Sequence, residues 1–255
     1  MNENYKNLVQ DLVDDLKAVF THAGLGGEAG EYKLLTQSFL YKFLNDKFLY
    51  EAKAVDTKNI YEELVKMSPD DYRWLLEDIG TATAQLKPEQ FIETLHRKQN
   101  EDNFYEIFEA TLNQIAIDNN DIFSVHTDGD TAIRLFDERL ITDNISDSSK
   151  RNQVARAIIN LLARIKFDET IFSQGFDFFS TLFEYMIKDY NKDGGGKYAE
   201  YYTPHSVAKI IADILVGNNQ PSNVRIYDPS AGSGTLLMNL ASRIGVDKTT
   251  VYSQD

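Results

Sequence analysis

The 255 residues contain no cysteine, so neither a disulfide nor a thiolate metal site is available. Only four histidines occur; His22, His96 and His126 stand isolated, and no His-x-x-x-His pair exists to hold zinc. No apolar run approaches membrane length, and Met1-Asn2-Glu3-Asn4 lacks the basic and apolar regions of a leader, so the sequence predicts a soluble cytoplasmic protein. Proline is scarce: Pro69, Pro88, Pro204, Pro221 and Pro229 are the five, and no two are adjacent. Basic residues are scarce in one region only. Residues 1–150 hold 15 Lys and Arg against 29 Asp and Glu, whereas residues 151–255 hold 11 of each, so the net charge of -14 lies entirely in the first part. A free-standing DNA binder shows a basic patch; this distribution implies that any nucleic acid is held mainly by other residues or partners.

What is present is a chain able to bury a core, 42% hydrophobic and 12% aromatic, and long enough for two domains. The first part reads as helices. Leu8, Leu12, Leu16, Val19 and Phe20 make one apolar stripe, and Leu34, Leu35, Phe39, Leu40, Phe43, Leu44 and Phe48 make a broader one. The glycine-rich link Ala23 to Gly30 is either a phosphate loop or a helix connection; no strand precedes it and acids flank it, which favours the connection. Further helices are predicted over Ile60 to Lys66, Pro69 to Ile79, Pro88 to Arg97 and Phe104 to Ile117. Asp118 to Ser149 is polar and turn-rich and reads as a solvated loop; its Asp128-Gly129-Asp130 does not fit a twelve-residue calcium loop. Helices resume near Lys150 with Val154, Ile158, Leu161, Leu162 and Ile165, then an aromatic stripe from Phe176 to Tyr190. Asp193-Gly194-Gly195-Gly196-Lys197 is the strongest candidate hinge.

The chemistry gathers between Gly194 and Gly234. Val224 to Tyr227 reads as a buried strand ended by Asp228-Pro229. Ser230-Ala231-Gly232-Ser233-Gly234 turns it into a helix marked by Leu237, Leu240, Ala241 and Ile244. At a strand-glycine-helix turn the backbone approaches a ligand closely and the helix offers its positive dipole end, so nucleotides and nucleoside-like cofactors bind there. Val251 and Tyr252 begin a second strand ending in Asp255, 21 positions after Gly234, where a doubly wound sheet binds a ribose hydroxyl pair. A third glycine is lacking, which disfavours NAD, and no Gly-Lys-Ser/Thr run exists for a P-loop.

Upstream, Thr203 reads as an N-cap and Pro204 as the first helical residue. Val207, Ile210, Ile211, Ile214 and Leu215 line one face before Gly217. Glu200-Tyr201-Tyr202 sits just before the cap, either as a wall for an apolar zwitterionic ligand or as a hydrophobic staple. His205 follows, placed either to touch a carboxylate or to face solvent.

Asp-Pro-Ser-Ala-Gly-Ser-Gly at 228–234 resembles the first cofactor motif of S-adenosylmethionine-dependent methyltransferases. Preceded by Tyr-Tyr-Thr-Pro at 201–204, it is similar to the cofactor half of an adenine-specific DNA methyltransferase, and more narrowly to the modification subunit of type I restriction-modification systems. The run Glu31 to Asp46 is similar to the opening helices of that family, and 151–193 to its bridge into the cofactor domain. The resemblance implies an acidic helical domain over 1–150, bridging helices over 151–193, and from 194 to 255 the beginning of a doubly wound, Rossmann-like domain. It implies S-adenosylmethionine bound by Glu200, Tyr201, Tyr202, Thr203, Pro204, His205, Asp228, Ser230, Ala231, Gly232, Ser233, Gly234 and Asp255. It also implies adenine-N6 methylation of DNA in a complex with specificity and restriction subunits.

One part of the pattern is missing. The family's Asn/Asp-Pro-Pro-aromatic turn accepts hydrogen bonds from the adenine amino group and stacks on the flipped base, and the prolines of this chain form no such turn. With only two strands expected of a fold that needs more, the sequence suggests the N-terminal portion of a longer protein, with no catalytic residue of its own. Two other readings remain open: an acidic helical interaction module whose αβ end is a remnant, and an RNA methyltransferase, which would not account for the acidic helical half.

Overall fold

The computed structural model describes residues 3–25, 29–56, 60–81, 83–123, 135–174, 203–219, 221–232 and 234–254. They fall into two compact units, Asn2–Phe172 and Ser173–Asp255.

The first unit is helical. Helix α1 (Glu3–Ala23) buries Leu12, Leu16 and Phe20 of its predicted stripe, with Val13 added and Leu8 and Val19 half-buried. Helix α2 (Ala29–Asp56) is the central rod and buries Leu34, Leu35, Phe39, Tyr41, Leu44 and Phe48. Because neighbours surround it, polar side chains are buried with these: Ser38, Lys42, Asn45 and Asp46. Asn45 and Asp46, with Tyr41, hold backbone that would otherwise lose its partners. Asn45 Oδ1 accepts from the Ile92 amide at 2.9 Å, Asp46 Oδ2 accepts from the Phe167 amide at 2.7 Å, and the Tyr41 hydroxyl donates to the Gln90 carbonyl at 2.6 Å.

Helices α3 (Ile60–Lys66) and α4 (Pro69–Ile79) form as their punctuation predicts; Ser68 caps α4 by accepting from the Asp71 amide at 3.2 Å. The expected single helix from Pro88 is instead a 3-10 turn, Pro88–Gln90, followed by α5 (Ile92–Lys98), with extended Phe91 between them. Helix α6 (Phe104–Asp118) buries Phe104, Phe108, Leu112 and Ile115.

Asp118 to Ser149 departs from the expectation of a solvated loop. Residues 124–134, with the Asp128-Gly129-Asp130 run, lie outside the described residues. Around them stand α7 (Asn120–Phe123) and α8 (Leu140–Asn144), and Phe136, Leu140, Ile141 and Ile145 are fully buried. Buried Glu109 receives the Thr142 amide at 2.6 Å and its hydroxyl at 3.0 Å, so a carboxylate on α6 fixes the short helix. Four apolar residues in short groups carry no helical period, which is why the pattern stays silent there.

Helix α9 (Ser148–Arg164) packs against α1, α5 and α6, and α10 (Glu169–Gln174) follows it. The expected boundary at residue 150 therefore does not divide the molecule, and the helical unit runs on to Phe172. The aromatic stripe 176–190 and the glycine hinge at 193–197 lie outside the described residues.

The second unit contains α11 (His205–Val216), β1 (Val224–Asp228), α12 (Thr235–Ile244) and β2 (Thr249–Ser253). The strands are parallel, in register from Val224 opposite Thr249 to Asp228 opposite Ser253, and α12 is their crossover. Its core is Ile226, Leu237 and Ala241, with Val224, Ala231, Leu240 and Ile244 packed around them. A mainly helical unit joined in sequence to a parallel βαβ unit is the fold class that the sequence predicts. Among the described residues no helix is long and apolar enough to cross a membrane.

Candidate functional site

The site is built on the end of β1. Asp228 Oδ1 accepts from the Ser230 amide at 3.0 Å, closing a tight turn just past the strand. Gly232 then takes φ +51° and Gly234 φ +73°, left-handed values that cost an L-residue about 1–2 kcal/mol. At Gly232 an added Cβ would meet nothing within 4 Å; the glycine is needed for its backbone angle and leaves open space above the turn. Gly234 serves as N-cap of α12 with no side chain to cover the helix end, and its carbonyl accepts from the Met238 amide at 2.9 Å. The amides at the start of α12 thus open onto the turn, with the positive end of the helix dipole behind them.

Gln254, which the sequence reading did not single out, stitches the second strand to this turn. Its amide donates to the Asp228 carbonyl at 3.0 Å, and its carbonyl accepts from the Ala231 amide at 2.9 Å. Its side-chain Oε1 accepts from the Tyr227 hydroxyl at 2.9 Å. A glutamine at a strand end carries no sequence signal beyond its place next to Asp255. The carboxy-terminal end of β2 is therefore held against the glycine turn by main-chain bonds, as the expected acid at the strand end requires. Asp255 itself lies outside the described residues, as does Ser233.

The aromatic-Thr-Pro element is described only in part: Thr203, Pro204 and His205 are, whereas Glu200, Tyr201 and Tyr202 are not. The helix begins one residue later than the sequence suggests. Pro204 is the cap, with φ -56° and ψ 136°, and its carbonyl accepts from Val207 and Ala208 at 3.0 and 3.1 Å. Its extended ψ keeps it out of the helix, so Thr203 lies outside the first turn and no side chain caps α11.

The packing face of α11 is not the apolar stripe that its periodicity marks. Val207, Ile210, Ile211, Ile214 and Leu215 are the exposed residues, Ile214 at 74% and Leu215 at 65%, while Ala208, Ala212 and Val216 are buried. These three recur every fourth residue and let α11 lie close along α12, because small side chains allow two helix backbones to approach. At their carboxy ends the helices are tied by Arg243, whose Nε donates to Asp213 Oδ1 at 2.7 Å and whose Nη2 donates to the Gly217 carbonyl at 2.8 Å. With the C-termini joined and a contact running from Val216 back to Ala208, Thr203 to His205 lie toward the same end as the glycine turn.

The arrangement can cradle a nucleoside-like ligand: a glycine turn open above its backbone, a bare helix N-terminus, Asp228 at one strand end and Gln254, just past β2, bonded to the turn. No three or more His, Asp or Glu residues cluster to hold a metal among the described residues.

Comparison with known proteins gives a consistent family. Residues 174–254 match the family model of the N-6 DNA methylases. The MpnII methylase subunit of a type I restriction enzyme from Mycoplasma pneumoniae is 23% identical over 84% of this chain and 40% of its own length. The MjaIX methylase subunit of a type I restriction enzyme from Methanocaldococcus jannaschii is 25% identical over 49% of this chain and 24% of its own. A crystal structure of a type I restriction-modification system methyltransferase subunit from Streptococcus thermophilus superposes with a TM-score of 0.63 at 22% identity, covering 97% of this chain and 52% of that one. The fold is thus shared along nearly the whole chain, which spans 40% and 24% of the two methylase subunits and 52% of the solved one. The resemblance read from the sequence is matched by these findings: the chain is similar to the methylase subunits of type I restriction enzymes.

Proposed function

We propose that this relative of the type I methylase subunits supplies the S-adenosylmethionine-binding part of an adenine-N6 DNA methyltransferase, working in the cytoplasm with specificity and restriction subunits that bring it to DNA. The observation that carries the reading is the double main-chain link from Gln254 to Asp228 and Ala231, which sets the end of the second strand beside an open glycine turn. Bound there, S-adenosylmethionine supplies an electrophilic methyl group. Asp228 and the α12 amides face the amino acid end, Asp255 takes the ribose hydroxyls, and Tyr201 and Tyr202 wall the ligand on the side of Thr203 to His205. The residues present fit such a ligand: backbone donors, carboxylates for hydroxyl and ammonium groups, and room above Gly232.

Calorimetric titration of the chain with S-adenosylmethionine and with S-adenosylhomocysteine tests this. A single saturable site is expected. Asp255→Ala removes a charge-assisted hydrogen bond of about 1.5–3 kcal/mol and should weaken binding about ten-fold or more. Unchanged affinity would remove Asp255 from the site, and no specific heat with either ligand would favour the interaction-module reading.

A further inference from the structure

Trp74, the chain's single tryptophan, stands on α4 with 62% of its surface exposed, although that helix is well seated on its other side. Tyr72 and Leu75 are buried, the Tyr72 ring lies 6.5 Å from that of Phe48 on α2, and its hydroxyl donates to the Leu86 carbonyl. At about 100° per residue, a helix held on the side of Tyr72 and Leu75 turns Trp74 away from them to solvent. A single exposed apolar side chain is ordinary on a protein surface; what sets this one apart is its surroundings. The positions that border a helical residue lie three and four before it and three and four after it. Around Trp74 every one of them is acidic: Asp70, Asp71, Glu77 and Asp78, all exposed.

Folding explains only half of this ring. Asp70 and Asp71 occupy the first turn, where a carboxylate meets the positive end of the helix dipole; Asp70 also pairs with Arg73 at 2.9 Å, and Asp71 accepts from the Ser68 hydroxyl at 2.7 Å. Glu77 and Asp78 stand near the opposite end, where the dipole is negative and the last turn holds no base. Neither makes an ion pair or a side-chain hydrogen bond among the described residues. Two carboxylates that oppose the dipole and gain no partner work against the helix that carries them. A local rule broken without local compensation points to a position that serves something other than folding. Arg73 is the only base on α4, so the face around Trp74 is strongly negative.

We propose that the Trp74 face of α4 docks an arginine-bearing basic segment of another protein, with a guanidinium stacked on the indole and its N–H groups paired to Glu77 and Asp78. Tryptophan is the best cation–π partner among side chains and is enriched at the centres of protein interfaces. Charge selects the occupant. Four carboxylates repel the phosphates of nucleic acid and of anionic lipid, and two copies of this face repel each other. Among the described residues no group of three or more acids is placed to hold a metal ion. The face belongs to the helical unit and does not depend on cofactor binding at the glycine turn.

Trp74 is itself the probe, because no other tryptophan contributes to the emission. The full chain is titrated with a peptide of alternating arginine and alanine, with its citrulline counterpart as the neutral isostere, and with single-stranded DNA. A saturable change in tryptophan emission is expected with the arginine peptide, at least about ten-fold weaker binding with the citrulline peptide, and no response to DNA. By calorimetry, Trp74→Ala and the pair Glu77→Gln with Asp78→Asn should each weaken binding of the arginine peptide about ten-fold or more. Relieved of its conflict with the dipole, the α4 pair should melt no lower than the parent chain. Because the chain has a net charge of -14, the control removes two exposed acids elsewhere, Asp11→Asn with Asp15→Asn on α1, and should leave the affinity nearly unchanged. No saturable change in emission, equal binding of the citrulline peptide, a response to DNA, affinity untouched by the α4 substitutions, a lower melt of the α4 pair, or an equal loss in the α1 control would each overturn the proposal.

Discussion

The two units use apolar residues in opposite ways. In Asn2–Phe172 many large side chains, among them Phe20, Tyr41, Phe48, Phe91, Phe108, Phe136 and Phe167, are fully buried, although Trp74 is 62% exposed. In Ser173–Asp255 the described core is small, with Ile226 and Leu237 its largest members, while Ile210, Ile214, Leu215, Tyr227 and Tyr252 stand exposed. A unit whose apolar faces are closed has its stability built into its own packing. Among its described residues the second unit closes fewer apolar faces, which puts these elements toward the lower-stability end. Stability and candidate chemistry thus occupy different parts of the molecule.

The largest expected effect sharpens that division at the level of chemistry. The chain carries the cofactor motifs but no Asn/Asp-Pro-Pro-aromatic turn to place an adenine amino group in line with a methyl donor. Proximity and orientation account for roughly 7–11 kcal/mol of such a barrier, so methyl transfer by these 255 residues should be undetectable even with partner subunits supplied. Labelled methyl incorporation into unmethylated DNA, measured with protein from a host lacking such an enzyme, decides it. Turnover above a no-protein control would mean that the catalytic group lies elsewhere in this chain.

Next comes the closed unit itself. Asp46→Ala strips buried Lys42 of its carboxylate and leaves Asn45 Nδ2 and the Phe167 amide without their acceptor. Removing one partner of a buried pair costs about 3–5 kcal/mol, enough to unfold a domain of ordinary stability. Urea unfolding followed by circular dichroism should show the midpoint falling sharply or the transition vanishing. A loss under about 1 kcal/mol would mean that water reaches Lys42, and the contrast between closed and open units would weaken.

How much was legible in the sequence follows the same division. The helices Ile60–Lys66 and Pro69–Ile79, the second capped by Ser68, stand where the residues place them, because local punctuation and core burial agree. The strand Val224–Asp228 and the glycine turn were equally readable, since positive φ at Gly232 and Gly234 needs glycine whatever surrounds it. The packing face of α11 was not readable: periodicity marks an apolar face but does not say which neighbour meets it, and Ala208, Ala212 and Val216 rather than the isoleucines are buried. Gln254 was unreadable, because its work is done chiefly by its backbone. So was the buried ring of donors around Asp46, whose partners lie 121 residues away at Phe167 as well as next door at Asn45.

A smaller effect is expected at the turn. Gly232→Ala meets open space, so its cost comes from the left-handed φ alone, about 1–2 kcal/mol, and falls on the αβ unit. Amide hydrogen exchange should quicken in β1, α12 and β2 while α2 and α9 keep their protection. Affinity for S-adenosylhomocysteine should drop about ten-fold, because the displaced backbone no longer offers its amides in place. Equal quickening in both units would show that they open together and that the contrast in stability is not real.

The smallest effect tests the open unit's own ion pair. Arg243 joins Asp213 and the Gly217 carbonyl at distances as short as those around Asp46, but its side chain is 42% exposed and that of Asp213 53%. Water already solvates both charges, so the pair gains little by forming and leaves no stranded charge when broken; exposed pairs contribute about 0.2–1 kcal/mol. Arg243→Ala should therefore shift the αβ unit by less than about 1 kcal/mol, and less still in high salt, which screens exposed charges. The same geometry would then give a several-fold smaller energy than at Asp46 purely through burial. Should Arg243→Ala instead destabilise as much as Asp46→Ala, the tie between the C-termini of α11 and α12 would be the main support of the glycine turn, and exposure would be a poor guide to what holds this unit together.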